Sequence, residues 1–236
     1  YFAQTTILPI YILNELNGSL AQAGLAMTLF MVSSILVRPF SGLIIEKLGR
    51  KKTLFLSESM FCLLSFAYIF ADNLTLLLII RFIHGIWFSI LTTVTVPVAN
   101  DFIPDQRKGE GMGYFVMSTN LGVVFGTLIA LTTIQFTSFQ MLFGILAVLI
   151  SLGLIFSLIL NIRELPQAKL KTAEKSRLSL QDIIETKVLA VSFVALLTAF
   201  AYSSITSFIT VFAETKQLLA YVSLFFIVFA LSMLLV

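Results

Sequence analysis

Long apolar runs joined by short polar links constrain this chain more than any other feature. Eight such runs cover approximately residues 1–13, 20–45, 53–71, 74–99, 111–134, 138–160, 187–213 and 218–236. The six internal runs exceed the ~18 residues that cross ~30 Å of hydrocarbon at 1.5 Å per residue, while the first is short and the last is abruptly cut. A span isolated in lipid can satisfy its backbone N–H and C=O groups only as a helix. The chain therefore reads as an all-α membrane protein. Tyr1 to Leu13 is apolar from the first residue, so the reading begins inside a helix and shows no cleavable leader.

Composition agrees. Apolar residues make up 58% and charged residues 11% of the 236, and mean hydropathy is +1.02, whereas soluble domains are roughly a quarter charged. The net charge of +3 is topological and carries no nucleic-acid signal. The links 46–52, 101–110 and 161–187 hold Lys47, Arg50, Lys51, Lys52, Arg107, Lys108, Arg163, Lys169, Lys171, Lys175, Arg177 and Lys187, twelve of the fifteen bases; the alternate links hold only Lys216. Cationic loops collect on the cytoplasmic side, which places the long link 161–186 there. That link separates 1–160, read as a six-helix bundle, from 187–236, read as the start of a second. Ser179 to Asp182 within it has a capping-box shape.

An internal repeat points the same way. A shift of 199 residues lays Leu8–Val37 over Ser207–Val236 without a gap, matching nine of thirty positions, among them Glu15 with Glu214. Parallel repeats of this kind build two-bundle transporters.

The link between the second and third segments is a basic turn bracketed by glycines, Gly42-Leu43-Ile44-Ile45-Glu46-Lys47-Leu48-Gly49-Arg50-Lys51-Lys52. Its spacing, G-x-[LI]-x-[DE]-[RK]-x-G-R-[RK]-[RK], resembles the signature between the second and third helices of the major facilitator superfamily of transporters. Glu46 stands where that family more often has Asp, and Ile44 where it has Leu. The resemblance implies twelve helices in two bundles, of which about eight are present, with Gly42, Glu46, Lys47, Gly49, Arg50 and Lys51 forming a conformational switch.

Two further stretches are similar to family patterns. Arg81-Phe82-Ile83-His84-Gly85 looks like R-x-x-[QH]-G, which the family associates with proton coupling. Arg81 lies ~7 residues, roughly 10 Å, into its helix, where a guanidinium must face a partner or cavity or else snorkel outward. His84, one turn on, either titrates or hydrogen-bonds a neighbouring helix. Gly122-Val123-Val124-Phe125-Gly126 matches part of the fifth-helix motif of drug/proton antiporters, with Thr127 in place of proline and Ala130 in place of glycine. Close packing through small residues is the other reading of that stretch.

Among the remaining intramembrane polar groups, Glu58 and Arg38 are expected to neutralise one another, with proton carriage by Glu58 as the alternative. Gln4, Thr6, Asn120, Tyr202 and Ser203 are cavity candidates, although hydroxyls also bond back to their own helix. No hydrolytic, nucleotide-binding or metal-binding pattern appears. The reading is a monomeric multi-pass protein of the plasma (inner) membrane that needs no cofactor beyond a proton gradient. Its expected partners are protons, the lipid bilayer and a small amphipathic substrate, which it exports by alternating access. Import or facilitated diffusion of a nutrient, and a non-transporting sensor or scaffold, remain the alternatives.

Overall fold

The computed structural model describes residues 1–162, 189–201, 216, 224, 225, 228, 229 and 232. The chain divides into two compact units, Tyr1–Lys169 and Leu170–Val236. The first contains α1 (Phe2–Asn14), α2 (Leu20–Leu48), α3 (Arg50–Ala67), α4 (Leu74–Phe102), α5 (Lys108–Thr133) and α6 (Phe139–Ile159). In the second unit an apolar helix, α7 (Leu189–Ala201), is described. Segments α2 to α6 are each long and apolar enough to cross a membrane. The described residues thus form an all-α, multi-pass membrane fold.

Helix starts are set by side chains that satisfy the free N–H groups of a first turn. Ser19 opens α2 with a capping box: its hydroxyl accepts from the Gln22 N–H at 3.2 Å while the Gln22 amide oxygen accepts from the Ser19 N–H at 2.7 Å. Asn73 opens α4 by accepting from Leu76 N–H at 2.8 Å. Ser138 opens α6 by accepting from Met141 N–H at 3.3 Å. The Ser179–Asp182 capping box expected from sequence lies outside the described residues.

The basic turn is tighter than the sequence reading placed it. Glu46, Lys47 and Leu48 belong to α2 and Arg50, Lys51 and Lys52 to α3, so the seven-residue link 46–52 shrinks to Gly49 alone. Gly49 adopts φ 83°, a region closed to most side chains, and its N–H closes α2 onto Ile45 C=O at 2.9 Å. The link expected at 101–110 contracts likewise, to the stretch between Phe102 and Lys108, which holds a single 3-10 turn, Asp105–Arg107.

Within the first unit, α2 packs most extensively on α4, α3 lies between α4 and α6, and α1 runs against α5. The main core sits at the end of the bundle opposite the basic turns. There Ile7, Leu8, Tyr11 and Ile12 of α1 meet Leu77 of α4 and Leu142, Phe143 and Leu146 of α6. The Tyr11 hydroxyl donates to Ala71 C=O at 3.0 Å. Outer faces remain apolar and exposed, as at Ile35 and Leu36 of α2 and Phe156 and Ile159 of α6. A bilayer rather than water suits such faces.

Candidate functional site

Helix α4 turns one face inward, carrying Leu77, Ile80, Arg81, His84, Gly85 and Ser89. Gly85 decides how closely that face approaches α2. A Cβ added there would lie 2.1 Å from Ser33 Oγ and 2.3 Å from Phe30 C=O. The two backbones touch, and no residue with a side chain fits.

One turn before this contact Arg81 is fully buried. Its guanidinium carbon lies 4.2 Å from the centre of the Phe30 ring, Nε donates to Ala26 C=O at 3.3 Å, and Nη2 meets Met27 Sδ at 3.3 Å. Nη1 has no partner. The arginine therefore turns into the bundle and does not snorkel to a surface. A charge so placed costs several kcal/mol unless compensated; the cation–π contact and the Ala26 carbonyl supply part of that compensation.

His84 is also fully buried. Its Nδ1 lies 3.0 Å from the Tyr68 hydroxyl, and its ring centre is 4.1 Å from that of Phe61 and 5.8 Å from that of Phe30. The bond to Tyr68, in the 3-10 turn after α3, is the neighbouring-helix contact that was one of the two sequence readings. Nε2 is unpartnered. The Tyr68 hydroxyl also faces Arg81, so Arg81, Tyr68 and His84 form one polar cluster. Aromatic rings surround it: Phe30 stacks with Tyr1 at 5.1 Å and lies 5.1 Å from Phe88.

On α1, Gln4 is fully buried with neither amide atom paired. Thr5 and Thr6 donate back to Phe2 C=O at 2.7 and 3.1 Å, and Thr6 also reaches Thr127 of α5, hydroxyl to hydroxyl, at 3.2 Å. Gly126 seats α1 on α5: its added Cβ would lie 3.1 Å from Ala3 N and 3.3 Å from Phe2 Cβ. At Gly122 the corresponding distance to Phe2 is an ordinary 3.8 Å. Asn120 is half-buried two residues before it. Tyr202 and Ser203 lie outside the described residues.

At the basic end, Gly42, Glu46, Lys47 and Lys51 are exposed, and a Cβ at Gly42 would meet nothing within 4 Å. Arg50 forms an ion pair with Asp101 in the last turn of α4, a partner that sequence reasoning missed. An acid at the basic end of a largely apolar helix was the available signal. In the next link Lys108 pairs with Asp105 at 2.7 Å and Arg107 with Glu110 at 3.2 Å. Lys108 holds the Asp105 carboxyl below the usual carboxylate range, by hydrogen bond and charge.

The expected Arg38–Glu58 pair does not form. Arg38 donates to Thr92 of α4 at 3.3 Å, whereas Glu58 faces α6, bonding Ser157 with an oxygen 3.1 Å from where a Gly153 Cβ would stand. The reason is the helix order: α2 meets α4, and α3 turns the Glu58 face away from both toward α6. Next along that seam, Cys62 Sγ lies 3.1 Å from Ser151 Oγ.

Parts of known proteins are similar to this chain in sequence. The quinolone resistance protein NorA of Staphylococcus aureus is 26% identical over 120 residues, which cover 51% of this chain and 31% of that protein. MFS transporter L2 of a Phoma species is 30% identical over 130 residues, 55% of this chain and 22% of that protein. The matched stretch thus spans less than a third of either relative's length. The sequence pattern of the Major Facilitator Superfamily matches residues 1–236, the whole of the chain, and the protein belongs to that superfamily.

Proposed function

We propose that this chain is part of a secondary active transporter that exports small amphipathic molecules in exchange for protons, by alternating access. The observation that carries this reading is Arg81, a permanently charged group buried among Ala26, Met27 and Phe30. An arginine rarely gives up its proton, but its field governs when a nearby acid or ligand does. A purely structural bundle gains nothing by burying it. The relative's designation as a quinolone resistance protein supports export over uptake. In this reading Gly42 and Glu46 control the rocking of the bundle, while Lys47, Arg50 and Lys51 hold the turn at the surface. Gln4, Thr6, Asn120, Tyr202 and Ser203 line the path of the substrate.

Inverted membrane vesicles of the full-length protein with an imposed pH gradient provide the test. Arg81→Ala should abolish uphill transport, and Arg81→Lys should fail more mildly, keeping charge but losing the planar fork of donors. Equal accumulation by wild type and Arg81→Ala would reduce Arg81 to an anchor and favour a facilitator.

The basic end is assigned to the cytoplasmic side of the plasma membrane, with 161–186. A cysteine introduced at Glu110 should then resist membrane-impermeant thiol reagents added to intact cells, and rapid labelling would invert the topology.

A further inference from the structure

The cluster around α4 has a chemical polarity that points to a particular ligand group. Arginine can only donate hydrogen bonds. The Tyr68 hydroxyl faces Arg81 and lies 3.0 Å from His84 Nδ1; with one proton and two lone pairs, it serves both neighbours when it donates to Nδ1 and turns a lone pair to the guanidinium. Nδ1 then accepts, and in neutral imidazole the remaining proton sits on Nε2. With that tautomer the unpartnered nitrogens of this cluster, Arg81 Nη1 and His84 Nε2, are both donors. They lie one turn apart on one face of α4, and each belongs to a fully buried residue. Buried donors in folded proteins almost always find an acceptor. No carboxylate lies within ion-pair distance of Arg81 among the described residues: Glu58 faces α6 and Asp101 pairs with Arg50. Two donors, one of them cationic, suit an anionic oxygen pair. Around it stand the rings of Tyr1, Phe30, Phe61 and Phe88.

We propose that Arg81 and His84 together bind the carboxylate of an aromatic amphipathic substrate, with Tyr68 as the positioning residue that fixes the His84 tautomer. The proposal rests on the transport reading above and names the substrate class of its site.

The test uses full-length protein in phosphatidylcholine nanodiscs, where no anionic headgroup competes, and two probes: 2-naphthoate and its neutral methyl ester. Wild type should bind the acid about tenfold more tightly than the ester, the worth of one charge-assisted hydrogen bond. Arg81→Gln should bring the ratio close to one, and Arg81→Lys should retain part of it. His84→Gln, which keeps an N–H near the Nε2 position, should retain most of the preference, and His84→Leu should lose it. Tyr68→Phe should reduce the ratio with no loss of charge, because Nε2 is no longer held as the protonated nitrogen. If Arg81→Gln does not elute as a folded species, the His84 and Tyr68 variants still decide the question. Failure of wild type to bind naphthoate, equal binding of acid and ester, or an unchanged ratio in His84→Leu would each overturn the proposal. Gradient-driven accumulation of a cationic dye by the same variants in inverted membrane vesicles tests the exporter separately. Acid preference without accumulation removes the exporter and keeps the site; accumulation without acid preference does the reverse.

Discussion

Two glycines of this bundle stand in opposite circumstances. At Gly85 the backbone of α2 fills the place where a side chain would begin, with Ser33 Oγ and Phe30 C=O at 2.1 and 2.3 Å from an added Cβ. At Gly42, on α2 itself, the same atom would meet nothing within 4 Å among the described residues, and Glu46 one turn later is exposed. The first glycine is fixed by contact already made, and it sets where Arg81 and His84 stand. The second is dispensable to the packing described, so any reason for it lies in movement or in a partner. The transporter proposed above needs both kinds of surface: a seam that holds its site rigid, and a face that can be covered and uncovered.

Alanine at each position makes the largest predicted difference. Gly85→Ala forces the α2 and α4 backbones apart and should cost about 1–3 kcal/mol, seen as a lowered unfolding temperature of the full-length protein in detergent. Gly42→Ala should leave stability unchanged or raise it by up to about 1 kcal/mol, because alanine is the better helix former, while slowing transport. Were Gly85→Ala as stable as wild type, the seam would not be the fixed element described.

The same contrast explains what the sequence could disclose. The spans and the basic turns were legible because lipid forces apolar segments into helices and positive charges to one side. Arg81 was legible as a charge where charge is costly. Its neighbours Ala26, Met27, Phe30 and Tyr68 were not. In a water-soluble helix the core face is marked by alternation with polar residues, but in α2 both Phe30, fully buried, and Ile35, exposed, are apolar. Core and lipid faces look alike, so helix order stays hidden. The expected Arg38–Glu58 pair failed for this reason: depth along the helices was legible, rotation about them was not. The boundary error at 46–52 has another cause. Charged residues suggested a loop, yet a single Gly49 at φ 83° makes the whole turn and lets those charges ride on helix ends.

Glu46→Gln sharpens the comparison on its mobile side. Glu46 is exposed in the last turn of α2, one turn from Gly42 on the same face. Its loss should stop transport with no fall in substrate affinity in detergent and no change in unfolding temperature. Weakened binding with persistent exchange would move Glu46 into the site and end its assignment to the moving face.

The smallest effect belongs to the link between α4 and α5, which separates a pair on the fixed seam from one in solvent. Arg50 and Asp101 tie α3 to α4 and are partly shielded, at 22% and 31% side-chain exposure; Lys108 and Asp105 are three residues apart in one link, at 47% and 85%. Lys108 lowers the Asp105 carboxyl below its usual range in the folded protein. A carboxylate so depressed adds stability above its unfolded pKa, and that stability fades as pH falls through the lower folded value. Solvent screens such a pair, so its share is small. Asp105→Asn should therefore lower the unfolding temperature slightly at neutral pH and not at all once the wild-type carboxyl is protonated. Asp101→Asn should cost more throughout the neutral range, because it removes a partly shielded ion pair that ties two helices together. If the two substitutions proved equal, or if Asp105→Asn matched Gly85→Ala, the basic end would be as tightly built as the α2–α4 seam, and the division between a fixed and a free region would fail.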